Sequence, residues 1–146
     1  MSIGKARFGD MLAFAGALVV IVSLLVAWYE GSSSGTLGAW DTFGAGVALI
    51  IVAAASALAM FVSAIVERST AGAVMVSIWA VPLGLAGAIA AIVRLLERPD
   101  HATALCAGPW LAFAGTLAIL AGAWASVHDE RRSLYPPAEP ELRPRP

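Results

Sequence analysis

Four apolar runs, Met11–Tyr29, Phe43–Val66, Ala73–Leu96 and Trp110–Val127, dominate the chain. Each approaches the ~20 residues that a helix, rising about 1.5 Å per residue, needs to cross roughly 30 Å of hydrocarbon. Where no water reaches the backbone, its N–H and C=O groups must bond within the segment, which restricts such runs to helices. Composition points the same way: of 146 residues, 60% are hydrophobic and 13% charged. An average soluble domain is about 45–50% apolar and about 25% charged, so this chain has too little polar surface to cover a globule in water. The expected fold class is an all-α integral membrane protein, with four transmembrane helices packed as two antiparallel hairpins. Residues 1–10 form a cytoplasmic N-terminus, 11–132 the transmembrane domain, and 133–146 a disordered Pro-rich tail.

Lys5 and Arg7 precede the first run, but its apolar stretch exceeds the roughly 7–15 residues of a secretory signal, and Leu25-Val26-Ala27 is a poor small-x-small site. It is read as a retained span. With the N-terminus inside, Lys5, Arg7, Arg68, Arg131 and Arg132 fall on the cytoplasmic side, and only Arg94 and Arg98 fall outside. That asymmetry orients the protein with both termini in the cytoplasm of a bacterial plasma membrane. Tryptophan and tyrosine favour the water–lipid boundary. Trp28, Tyr29, Trp40 and Trp110 would mark the outer belt, and Trp79 and Trp124 the inner one.

Helices in lipid associate by close approach of small residues. Ala114, Ala118, Gly122 and Ser126 form such a stripe on the fourth span, Ala80, Gly84 and Ala88 on the third, and Ala55, Ala59 and Ser63 on the second. Each is read as internal packing, with a homodimer face as the alternative. Pro82 removes one backbone hydrogen bond within the third span and predicts a bend. Leu12-Ala-Phe-Ala-Gly16 matches Leu111-Ala-Phe-Ala-Gly115, and Gly38-Ala-Trp40-Asp-Thr-Phe43 resembles Gly108-Pro-Trp110-Leu-Ala-Phe113. The two alignments imply contradictory repeats, so in a chain this rich in Ala, Gly and Leu both are treated as coincidence.

The net charge of −1 offers no basic face for nucleic acid. Buried charge at mid-membrane would signal ion coupling, yet the span interiors carry only Ser23, Ser56, Ser63, Ser77 and Thr116. Such hydroxyls bond their own helix backbone. Small multidrug exporters match this size and span number but use a glutamate in the first helix, whereas no acid lies between Met11 and Tyr29. His101 and His128 fall on opposite sides of the membrane, and Asp100, His101 and Cys106 make too sparse a set for a metal. No nucleophile motif or phosphate-binding glycine loop is present. No cofactor is expected.

The outer side carries the candidate interaction residues Trp28, Glu30, Trp40, Asp41, Arg94 and Arg98. Arg94 and Arg98, four apart at a helix C-terminus, suit the negative end of the dipole. They are expected to pair with Glu30 or Asp41 and tie the hairpins together, the alternative being a grip on lipid phosphate. Ser32-Ser33-Ser34 reads as a flexible connector, and the tail, with five prolines in residues 135–146, as an extended end.

A first span closing on Trp28-Tyr29, a Gly/Ser loop leading to Trp40-Asp41, and Arg94-Leu-Leu96 before Pro99 form a pattern. With a last span from Gly108 and Trp110 to Asp129-Glu-Arg-Arg132, it resembles small uncharacterised four-span membrane proteins of high-GC Gram-positive bacteria. The resemblance implies the topology and no particular activity. The leading expectation is a non-enzymatic scaffold or accessory subunit in the lipid bilayer, partnered by a second copy or another membrane protein. A small oligomeric transporter or channel is the alternative, and an outer-face lipid-binding protein the third reading.

Overall fold

The computed structural model describes residues 8–31, 35–66, 70–97, 99 and 102–133, with backbone alone at 70–74, 77 and 129–133. Four helices carry the fold: α1 (Phe8–Leu25), α2 (Ala45–Ile65), α3 (Thr70–Leu96) and α4 (Ala107–Ser133). Each is long and apolar enough to cross a membrane. Three short strands, β1 (Tyr29–Gly31), β2 (Thr36–Leu37) and β3 (Ala102–Leu105), gather at one end of the bundle. The molecule is therefore mostly helical rather than all-helical. The expected connectors Ser32–Ser34, the charged residues Arg98, Asp100 and His101, and the tail from residue 134 lie outside the described residues.

The span limits shift accordingly. The first helix ends at Leu25, four residues before the expected Tyr29, because the chain leaves the helix to enter β1, which begins at Tyr29. It also begins earlier, at Phe8, which takes Asp10 out of the expected N-terminal tail and into the first helical turn. The fourth begins at Ala107 and runs to Ser133. Helix α3 continues through Pro82.

The sheet order is β2-β1-β3, both pairs antiparallel. Tyr29 pairs with Leu37 on one side and Leu105 on the other, while Glu30 pairs with Thr36 and Ala104. Side chains alternate across a strand, so Leu37, Tyr29 and Leu105 make one row packed on the core, while Glu30 and Thr36 are exposed. A register shift lies between Glu30 and Gly31, beyond which Gly31 pairs with Ala102. Beyond the strands, the Cys106 amide donates to the Trp28 carbonyl (2.9 Å) and the Gly108 amide to the Ala27 carbonyl (3.0 Å). The exit of α1 is thereby fastened to the entry of α4.

Around the bundle, α1 touches α2 and α4, and α3 touches α2 and α4, with α1 and α4 the most intimate pair. Their contact is built from glycine. A Cβ on Gly16 would stand 2.6 Å from the Gly115 carbonyl oxygen, and one on Gly115 would stand 2.8 Å from the Gly16 oxygen. One turn-pair further along, a Cβ on Gly9 would stand 2.6 Å from the Gly122 oxygen. The two Leu-Ala-Phe-Ala-Gly segments thus meet each other at the crossing of two antiparallel helices. Small residues let backbones approach closely where lipid provides no hydrophobic drive.

The interior is filled mainly by alanine, including Ala13, Ala17, Ala53, Ala57, Ala80, Ala91, Ala112 and Ala123, while many large apolar side chains face outward. Ala80, Gly84 and Ala88 are buried as expected, but Ala55 and Ala59 are exposed. On α4, Gly122 and Ser126 are buried, Ala118 is half-buried and Ala114 is exposed, so the four-residue stripe is internal only toward its C-terminal end. The true seam runs at seven-residue steps through Gly115 and Gly122, because the partner crosses nearly antiparallel and meets the same face every second turn.

Candidate functional site

The sheet end holds most of the residues singled out in the sequence. Trp28 is not a boundary anchor: it is 0% exposed, and its indole N–H donates to the Ser23 carbonyl at 2.7 Å. The ring lies directly against Gly108, where any Cβ would collide with it. Trp28 therefore fills the gap where α1 and α4 part and closes a last-turn carbonyl of α1, one of the groups that every helix end leaves without an intrahelical partner. Trp40, at 60% exposure, remains outside, as do Trp79, Trp110 and Trp124.

Tyr29 does the same for α3. It is fully buried and its hydroxyl donates to the Arg94 carbonyl, in the last turn of that helix, at 2.7 Å. Trp28, just before β1, and Tyr29, its first residue, thus tie two helix ends that are distant in sequence. Burial pushes the Tyr29 phenol above its usual 10.0, opposed by the positive charge of Arg94. A raised folded-state value means the neutral phenol is favoured in the fold, so its share of stability is complete below about pH 10 and is lost as pH rises through the folded value. Wild type is expected to lose stability more steeply than Tyr29→Phe above about pH 10 in detergent unfolding measurements. Superimposable alkaline profiles would remove this role.

Arg94 does fasten α3 to the segment before α2, but through a carbonyl rather than an acid. Its Nη2 donates to the Thr42 carbonyl at 3.0 Å. Glu30 is exposed on the outer row of the sheet, and its carbonyl accepts the Thr103 hydroxyl at 3.1 Å. The Asp41 carboxylate accepts the Gly38 amide at 2.8 Å and so closes its own turn. Among the described residues, neither acid is ion-paired with Arg94. The reason is local: Gly44 and Gly46 leave the guanidinium room to lie on the backbone of α2's first turn. Trp40 and Phe43 stack beside that turn, with ring centroids 6.0 Å apart and planes within 5°.

The opposite end contains a residue that sequence reasoning passed over. Asp10 is 6% exposed, and its Oδ1 accepts the Ser126 hydroxyl at 2.7 Å across the α1–α4 seam. An acid in a first helical turn suits the positive end of the dipole, and Gly9 immediately before it is where α1 comes close to Gly122 and Ser126. Ser23, Ser56, Ser63 and Thr116 bond backbone carbonyls three or four residues earlier in their own helices. The Ser77 side chain lies outside the described residues.

Between α3 and α4, Val81, Leu85, Leu117, Leu120, Ala121 and Trp124 line an open, almost entirely apolar groove of about 650 Å³. Cys106 is a half-buried free thiol. Among the described residues, no three His, Cys, Asp or Glu side chains gather closely enough to hold a metal. Chemically, the sheet end offers one guanidinium and one buried phenol, each bonded to a backbone carbonyl, and an exposed stacked aromatic pair. Comparison with protein-family models, with curated proteins and with solved structures gives no match to the chain.

Proposed function

We propose that this chain is a multi-pass protein of the bacterial plasma membrane, acting without catalysis as a scaffold or accessory subunit through its helix surfaces. On this reading both termini are cytoplasmic, the helices pack as antiparallel hairpins, and the sheet end is outside. The chain belongs, on the same reading, with the small four-span proteins it resembles. The observation that carries the proposal is the closed interior. Glycine and alanine bring the helices into backbone contact, and every buried side-chain N or O atom among the described residues has a hydrogen-bond partner. A bundle closed in this way presents its chemistry on the outside, where large apolar side chains and the α3–α4 groove offer surface to another membrane helix.

Affinity capture of the tagged protein from native membranes in mild detergent, read by mass spectrometry against an untagged control, tests the function. A reproducible stoichiometric protein partner is the expected result. Recovery alone as a defined homo-oligomer would replace the accessory reading with the transporter or channel one.

Orientation has its own test. In a Cys106→Ser background, a cysteine replacing exposed Thr103 is expected to react with an impermeant maleimide added to intact cells. A cysteine replacing exposed His128 is expected to react only after the membrane is opened. The reverse pattern would invert the topology.

A further inference from the structure

We propose that the Arg94 corner binds the phosphate of a membrane phospholipid headgroup, with Trp40 and Phe43 as the apolar platform beside it. The proposal rests on the membrane placement above and goes beyond the scaffold reading. A guanidinium has five N–H donors in a planar fork. Among the described residues, the Arg94 side chain has a single hydrogen-bond partner, the Thr42 carbonyl. The other donors are not sealed in the interior, since no buried side-chain nitrogen there is left without a partner.

The group is also held in place. A Cβ on Gly46 would stand 3.1 Å from Arg94 Nε and 3.7 Å from its Cγ, and one on Gly44 would stand 3.0 Å from Nη2. Its stem therefore lies flush on two glycines while its fork is anchored at one corner. A pre-positioned arginine loses less freedom on binding than a mobile one.

Its charge is not cancelled by the acids nearby. Asp41 is engaged with the Gly38 amide, Glu30 is on the exposed row of the sheet, and Glu97, three residues along, makes no ion pair with Arg94 among the described residues. No carboxylate among the described residues is ion-paired with the guanidinium, which leaves its charge open to an anionic ligand.

Depth selects the ligand. Arg94 is in the last turn of α3, and α2 begins at Ala45, so the corner is where the apolar helices end. Trp40 and Phe43, at 60% and 56% exposure, and the still more exposed Leu96 surround that level. A tryptophan such as Trp40 settles at the headgroup boundary, and arginine grips phosphate oxygens in a bidentate manner. A phospholipid satisfies both parts at once, with its phosphate on the guanidinium and its glycerol and upper acyl carbons on the rings. A free anion would gain nothing from the rings.

The test uses the full chain in dodecyl maltoside, titrated with dioctanoyl phosphatidylglycerol and read by native mass spectrometry. Dioctanoylglycerol, which lacks the phosphate, and inorganic phosphate serve as competitors. Phosphatidylglycerol is expected to bind, with apparent Kd raised about tenfold or more by Arg94→Gln, and dioctanoylglycerol is expected not to displace it. Unchanged binding by a monodisperse Arg94→Gln, or equal binding of dioctanoylglycerol, would overturn the site. If that variant still labels with the orientation expected above, the membrane reading survives that failure. Displacement by millimolar inorganic phosphate would overturn the lipid as the source of the anion. Should Arg94→Gln not fold, the double variant Trp40→Ala/Phe43→Ala, confined to exposed rings, decides the matter. Binding weakened roughly threefold or more supports the site, and binding at wild-type strength overturns it.

Discussion

Trp28→Ala is expected to lower stability by about 3–5 kcal/mol, whereas Trp40→Ala should stay within about 0.5 kcal/mol of wild type. The two residues are both tryptophans in the segment joining α1 to α2, and their environments separate them. Trp28 is 0% exposed and rests on Gly108, so truncation leaves a cavity that the fixed strand and helix ends cannot collapse to fill. It also strips the Ser23 carbonyl of its indole donor, and an orphaned buried acceptor adds about 1–3 kcal/mol of its own. Trp28→Phe separates the two parts, keeping most of the bulk while removing the N–H. Trp40 stacks only on Phe43 and is otherwise open. Unfolding in mixed dodecyl maltoside and dodecyl sulfate micelles measures all three variants. Equal losses for Trp28→Ala and Trp40→Ala would mean that Trp28 does not fill the α1–α4 gap.

That contrast also marks how far the sequence alone could be read. The four long helices follow from four long apolar runs, because hydrophobic length is a strong local signal. The fates of individual aromatics do not follow from it. Placing Trp28 and Tyr29 in a boundary belt relies on their average preference, and that average is overridden here by three short strands. Strands of two to four residues carry almost no periodic signal, and β1 is fixed by pairing with β3, more than seventy residues away. Arg94 was legible as a tie between distant segments, since a cation at a helix C-terminus needs a partner. That its partner is the Thr42 carbonyl depends on the clearance over Gly44 and Gly46. The pair Asp10–Ser126 is not legible in the apolar run, which begins at Met11: the helix starts three residues earlier, at Phe8, and carries a buried acid that the run leaves in the tail. Most instructive are the two Leu-Ala-Phe-Ala-Gly segments. Read as a repeat they are contradictory, but an antiparallel crossing needs the same small profile on both partners, and this crossing has it.

Gly122→Val should cost about 3 kcal/mol or more, and Ala114→Leu on the same helix should cost almost nothing. At Gly122 a Cβ would stand 2.5 Å from the Ala13 amide nitrogen and 2.5 Å from the Gly9 carbonyl oxygen. Both are backbone atoms of α1, so no side chain can rotate away, and the helices themselves must separate. Separation would open the Gly16–Gly115 contact on one side and stretch the Asp10–Ser126 hydrogen bond on the other. The added valine recovers nothing in exchange, since lipid solvates it as well as the protein interior does. Ala114, two turns away and exposed, meets only the bundle's surroundings, where a leucine is at home. Mixed-micelle unfolding of the two variants therefore distinguishes a seven-residue glycine seam from the four-residue stripe Ala114, Ala118, Gly122 and Ser126. If α4 packed by the stripe, Ala114→Leu would be the damaging change along with Gly122→Val. If it packs by the seam, Gly16→Val should match Gly122→Val and Ala114→Leu should unfold with wild type, because the first two open the same closed contact from opposite helices.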